Sequence, residues 1–262
     1  MPVSVTVGKH PVQLRKGNAM SGYLRLVGPA VVTACVLGGW AGTATAGAQS
    51  ACADLGGTVE PDHICQVHTV TSCYTLDYTF PVDYPDQQAL SAALTHERDG
   101  FVNWVAKHGP DEHDQSYHDQ SYQEVVTATT YRSGTPATGT QSLVLEIEDD
   151  TGAAHQGHPD TRFTAFNYDL GKSAPITFDT LFKPGAKPLD VLSPAVQREL
   201  AKHQAAAAPT FNGLDANAYQ NFAITDDAVI FFFFGENRLI QDDNGPHEVS
   251  QPRADLASLM AV

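Results

Sequence analysis

Asn221-Phe222-Ala223-Ile224-Thr225-Asp226-Asp227-Ala228-Val229-Ile230-Phe231-Phe232-Phe233-Phe234 is the stretch that decides the fold. Two apolar runs flank an Asp-Asp pair, the pattern of a β-hairpin closed by a tight turn. Asp tolerates the backbone angles of such turns, although Asp-Gly would signal them more strongly. Side chains alternate along a strand, so four consecutive phenylalanines place rings on both faces of the second strand. A strand apolar on both sides belongs inside a sheet with both faces covered. Each fully buried large side chain contributes about 1.5–3 kcal/mol, which makes this ribbon the expected centre of stability. The competing reading is an exposed, aggregation-prone edge.

The other end of the chain has a different composition. Residues 1–25 contain Lys9, Arg15, Lys16 and Arg25 and no acid, and the apolar run Leu26–Leu37 follows. Small residues then lead to Ala44-Thr45-Ala46 and Ala46-Gly47-Ala48. A basic start, a short apolar middle and an A-x-A site predict a secretory signal peptide over 1–48, cut after Ala48 or, as second choice, Ala46. The apolar run is shorter than the roughly 20 residues that span a bilayer, so no transmembrane segment is expected. Val32-Thr33-Ala34-Cys35 loosely resembles a lipoprotein processing box, which gives lipid anchoring at Cys35 as the alternative to secretion.

Four of the 15 Lys and Arg fall within 1–48, leaving 11 against 30 Asp and Glu, a formal charge of −19 for residues 49–262. Such a charge repels nucleic acid and anionic membranes, serves solubility, and attracts a basic partner in a salt-sensitive way. No Ser/Pro-rich linker interrupts 49–262, which predicts a single exported domain, and a monomer is expected. Three cysteines remain, Cys52, Cys65 and Cys73. Cys52 and Cys65 bracket a turn-rich loop suited to closure in an oxidising compartment. Cys73 is left as a small buried hydrophobe or a reactive thiol, and burial is the expectation.

Between the two ends, Tyr74–Pro81 alternates so that Tyr74, Leu76, Tyr78 and Phe80 share a strand face. After the turn Asp83-Tyr84-Pro85-Asp86 a helix runs to about Lys107, with Leu90, Leu94, Phe101 and Val105 on one stripe. Gly100 within it implies a close contact with the sheet or a kink. Strands are predicted at Glu124–Arg132, Ser142–Glu148 and Arg162–Asp169, the last antiparallel to its predecessor. A further helix is expected from near Ser193, with Pro194 in its first turn. A short strand, His247–Gln251, and a closing helix through Leu256, Leu259 and Met260 complete the chain. These elements predict an α+β fold, an antiparallel or mixed sheet with packed helices.

Motifs for chemistry are sparse, and no cofactor is expected. His113-Asp114-Gln115-Ser116-Tyr117 repeats at once as His118-Asp119-Gln120-Ser121-Tyr122, which reads as a duplicated polar loop rather than a metal site. The loop 149–160 holds Asp149, Asp150, His155 and His158; its H-x-x-H pair lies in a Gly/Asp-rich turn and reads as a solvated loop. Neither a phosphate-binding glycine loop nor a Rossmann fingerprint occurs. The nucleophile elbow G-x-S-x-G is absent, and its nearest approach, Gly171-Lys172-Ser173-Ala174-Pro175, has proline in place of the second glycine. For an ester hydrolase the candidates are Ser173 as nucleophile with His158 and Asp160 as helpers.

Several runs resemble the secreted immunogenic protein family of mycobacteria. They are Tyr84-Pro85-Asp86-Gln87, Gly139-Thr140-Gln141, His158-Pro159, Pro175-Ile176-Thr177-Phe178-Asp179-Thr180-Leu181, Val196-Gln197-Arg198-Glu199-Leu200, Gly213-Leu214-Asp215 and Tyr219-Gln220-Asn221-Phe222-Ala223-Ile224-Thr225-Asp226. Their order is kept from about Cys52 to Met260. The resemblance implies a disulfide between Cys52 and Cys65, whereas Cys73 and the His-Asp repeat depart from the pattern. Residues 175–262 are also similar to the extracellular domain of a lysozyme-sensing anti-sigma factor. That likeness implies a β-grasp-like element and a role in binding a protein, cationic or lysozyme-like, without catalysis. Relatives carrying the label esterase make hydrolysis of short acyl esters the alternative.

Overall fold

In a computed structural model of the chain, which describes residues 51–108, 122–151, 159–203, 214–234 and 247–262, the phenylalanine ribbon is an interior strand. All described residues fall within one compact unit, Thr43–Val262. Seven strands form the main sheet in chain order: β1 (Thr58–Val59), β2 (Ile64–Val70), β3 (Tyr74–Pro81), β4 (Tyr122–Ser133), β5 (Thr140–Asp150), β6 (Asp160–Asp169) and β7 (Ala174–Pro175). Neighbours are antiparallel except β3 and β4, which run parallel. A parallel pair needs a long crossover, and the helix α1 (Gln87–His108) lies in that connection. The second sheet contains β8 (Phe222–Ile224), β9 (Ala228–Phe233) and β10 (His247–Pro252), antiparallel in the order β10-β9-β8. Other helices among the described residues include α2 (Phe178–Leu181), α3 (Leu189–His203) and α4 (Arg253–Leu256).

Strand alternation sorts the apolar side chains into layers. Leu76, Tyr78 and Phe80 of β3, Val126 of β4 and Leu143, Leu145 and Ile147 of β5 pack with Leu90, Leu94, Phe101 and Val105 of α1. The opposite parity supplies Val144 and Phe163, which meet Ala223 and Phe232 of the second sheet. Phe163 and Phe232 stand 5.1 Å apart between ring centroids. On the far side of that sheet, Phe222, Ile224, Phe231 and Phe233 pack on Leu192, Val196 and Leu200 of α3. The result is helix, sheet, sheet, helix, with the ribbon covered on both faces as its sequence predicts.

One side chain and one backbone amide of the main sheet bind β8 and the residue before it. Asn167 Nδ2 donates to the Phe222 carbonyl at 2.8 Å, and the Ala165 amide donates to Asn221 Oδ1 at 3.0 Å. Buried backbone groups require such partners. At the hairpin tip, Gly134 N–H donates to Asp226 Oδ1 at 2.8 Å, so one residue of the Asp-Asp turn fastens the two sheets together.

Several boundaries differ from the sequence reading. Helix α3 begins at Leu189, so Pro194 lies inside it rather than in its first turn. The Pro188 carbonyl opens the helix by accepting from Val191 and Leu192 N–H at 3.0 and 2.9 Å. The closing helix is the single turn α4, and Met260 instead forms a bridge with Phe182. Helix α1 runs through Gly100, where a Cβ would meet nothing within 4 Å, so no close sheet contact requires the glycine. Cys52 and Cys65 are joined as a disulfide, and the free Cys73 is half-buried against the main core. The C-terminal strands pair only antiparallel and do not themselves show the β-grasp-like element. His155, His158 and residues 113–121 lie outside the described residues.

Candidate functional site

Two polar regions of the main sheet stand out, one on each face. Under α1, Glu124 shares the parity of Val126 and is therefore carried into the core, with no exposure to solvent. Its neighbours come from four other elements. The Tyr78 hydroxyl of β3 donates to Glu124 Oε1, and Arg162 of β6 donates to Asp149 of β5. Arg162 Nη2 also pairs with Glu97 of α1 at 2.5 Å and lies 3.6 Å from Glu124 Oε2. Burial pushes the Glu124 carboxyl up to about 8; the Tyr78 bond and Arg162 oppose this, while Asp149 adds to it. Burial, then the charge and hydrogen bond of Glu124, also raise the Tyr78 phenol. Burial works against the charge on Arg162, yet its bonds to Glu97 and Asp149 outweigh that effect and hold it protonated. The cluster ties helix to sheet, and burial favours the neutral form of Glu124.

The other face opens to solvent where the second sheet leaves it uncovered. Register places His68, Asp77, Val125 and Glu148 in one row across β2, β3, β4 and β5. His68 Nδ1 lies 2.5 Å from Asp77 Oδ1, with 68% of the imidazole side chain exposed. Gln123 Nε2 holds the other Asp77 oxygen at 3.4 Å. Further along this face, Glu146 feels the charges of Glu148 on its own strand and Glu248 on β10. Burial first, then those two carboxylates, hold Glu146 above the usual carboxylate range. Burial, then Glu248 and Glu146, raise the Tyr131 phenol in the same way.

The residues singled out for ester hydrolysis fall elsewhere. Asp160 opens β6 and is exposed, while Ser173 is exposed in the turn after β6, with φ 52° in the left-handed region. At about 3.3 Å per residue, the strand between them separates its ends by roughly 30 Å. The structure does not bring these two together, and His158 lies outside the described residues. Asp149, expected in a solvated loop, lies within the last residues of β5 and pairs with Arg162. Sequence reasoning missed Glu97, Glu124, Arg162, Glu146, Glu148 and Glu248. The available signal was parity: Glu124 occupies a strand position whose next neighbour on that face is Val126.

Among the described residues no helix is long and apolar enough to cross a membrane. A family profile described as a protein of unknown function, DUF3298, matches residues 179–234. Two solved DUF3298 structures overlap the chain loosely. One, from Bacteroides fragilis, covers 76% of this chain and 92% of its own at 13% identity and TM-score 0.46. The other, from Pseudomonas aeruginosa, covers 74% and 92% at 12% identity and TM-score 0.48. Sequence relatives are much nearer. A Mycobacterium tuberculosis protein named Esterase Rv3036c is 48% identical over 237 residues, 89% of this chain and 98% of its own. Immunogenic protein MPB64 of Mycobacterium bovis and immunogenic protein MPT64 of Mycobacterium tuberculosis are each 37% identical over 234 residues, 88% of this chain and 97% of theirs. The chain belongs to the MPT64/MPB64 immunogenic protein family.

Proposed function

We propose that this chain is an exported protein-binding module that holds a cationic protein against the acidic open face of its main sheet. One observation carries the reading: Glu146, Glu148 and Glu248 gather there, where burial first, and then the charge of the other two, raise the Glu146 carboxyl. Like charges held together by a fold repel one another, and a cation docking among them relieves that repulsion. The formal −19 of residues 49–262 steers such a partner from a distance. Calorimetric titration with a lysozyme-like cationic protein tests this reading. Saturable binding that weakens with added salt is expected; no heat at low salt contradicts it. Export follows from 1–48 acting as a signal peptide cut after Ala48, and the mass of the processed protein separates that cut from lipidation at Cys35.

A second reading, hydrolysis of short acyl esters, draws support from the 48% identical relative named an esterase and from the His68–Asp77 contact. A carboxylate at Nδ1 orients an imidazole so that Nε2 can act as a base. Turnover of a p-nitrophenyl ester that disappears in His68→Ala would support this reading. Turnover lost only in Ser173→Ala or His158→Ala would move the chemistry to the turn after β6 and the loop before it. A wild type with no turnover would remove the reading.

A further inference from the structure

Among the described residues, two buried oxygens of the cluster under α1 lack a hydrogen-bond donor, Glu124 Oε2 and Asp149 Oδ1. Their residues are direct partners in the β4–β5 register, on the same face of the sheet. Each carboxyl group's other oxygen is engaged: Glu124 Oε1 accepts from Tyr78, and Asp149 Oδ2 accepts from Arg162. Two ionised carboxylates side by side in this register, each with a buried oxygen that no donor reaches, would lose hydration and repel. A single proton answers both oxygens, since a protonated Glu124 can donate from Oε2 to Asp149 Oδ1. Charge balance points the same way. Glu97 and Asp149 already surround one cation, Arg162, and an ionised Glu124 would add a third anion.

We propose that Glu124 and Asp149 share one proton, and that this proton fastens α1 to the main sheet, so that the helix loosens in alkaline medium. Arg162 Nη2 makes the connection. The same nitrogen holds Glu97 of α1 at 2.5 Å and stands 3.6 Å from Glu124 Oε2. Loss of the proton turns Glu124 into a competitor for that nitrogen, and Glu97, the helix's ion-pair partner at this point, is the group displaced. The charged and titratable groups around Glu124 are Tyr78 from β3, Asp149 from β5, Arg162 from β6 and Glu97 from α1. Asp160 of β6 stands opposite Asp149 at the exposed margin.

Burial and Asp149 place the Glu124 titration near 8, well above the ordinary range of an unfolded carboxyl. The folded state therefore binds the proton more tightly than the unfolded chain. Its stabilisation is complete below the unfolded pKa and is lost as pH rises through about 8. Glu124→Gln tests the proposal, because its amide N–H₂ donates where the carboxyl O–H did and cannot ionise. The wild type should show a Tm that falls as pH is raised through this range. The variant should keep a Tm close to that of the acidic wild type and lose most of the fall. Parallel curves, or a variant far less stable than the wild type on the acid side, would overturn the proposal. Infrared difference spectra of the wild type decide the matter even if the variant does not fold. A protonated-carboxyl band that disappears across the same pH range is expected, and its absence throughout would overturn the shared proton.

Discussion

Ser142, on β5, accepts a 2.9 Å hydrogen bond on its hydroxyl oxygen from the backbone N–H of Ile224, on β8. Both residues are fully buried, so the main sheet supplies the partner that this amide needs. Removing one side of a buried hydrogen bond leaves the other without solvation, at about 1–3 kcal/mol. Ser142→Ala should lower unfolding stability by that amount, read from the midpoint of denaturant unfolding at unchanged m-value. A loss well below 1 kcal/mol would mean that water reaches the Ile224 amide.

Phe232 is the ring of the ribbon that turns toward the main sheet, against Phe163. Phe232→Ala should cost about 3–5 kcal/mol, the range for truncating a large buried side chain. Phe234, only partly buried beside the same cluster, should lose less on the same change. Equal losses would contradict the closed seam between the sheets.

Gly100 lies on the exposed side of α1 with open space where a Cβ would stand. Gly100→Ala should therefore stabilise the protein by about 1 kcal/mol, the difference in helix propensity. A destabilised variant, measured by thermal unfolding, would reveal a contact that the helix face does not show.

The Cys52–Cys65 bridge closes a loop of sequence separation 13. Its removal by Cys52→Ala and Cys65→Ala together should cost about 3 kcal/mol, chiefly by freeing the unfolded chain. Reductant should lower the Tm of the wild type and leave the double variant unchanged.

The fold was legible where periodicity reports burial directly. The phenylalanine ribbon, the β3 face and the α1 stripe of Leu90, Leu94, Phe101 and Val105 all lie as the pattern predicts. Pro194 misled because proline is commonest in a helix's first turn, whereas here packing of Leu192 into the core extends the helix back to Leu189. The polar cluster was harder to see for a different reason. Tyr78 and Glu124 are 46 residues apart, and Glu97 and Arg162 are 65 apart. Only the order of strands and the crossover of α1 bring them together, and no local spacing encodes that. Asp149 sat in a run of acids and glycine that resembles a solvated turn, and its ion pair depends on β6 returning alongside.

Proton competition gives the binding face a pH signature. Burial and the neighbouring carboxylates make Glu146 take up a proton at higher pH than an ordinary glutamate, and the neutral form attracts a cation less. Affinity for a cationic protein should therefore rise as pH increases past the usual carboxylate range, then level once Glu146 is ionised. Glu146→Gln should flatten that rise in a titration series at constant salt.

The most direct measurement compares the Kd of a lysozyme-like cationic protein for the wild type and for Glu146→Gln/Glu148→Gln/Glu248→Gln, at low and high salt. The predicted result is saturable wild-type binding that salt weakens, and a loss of about tenfold in the variant, equivalent to roughly 1.4 kcal/mol. Equal affinities of the two proteins, or no saturable binding by the wild type at low salt, would contradict the acidic face as the docking surface.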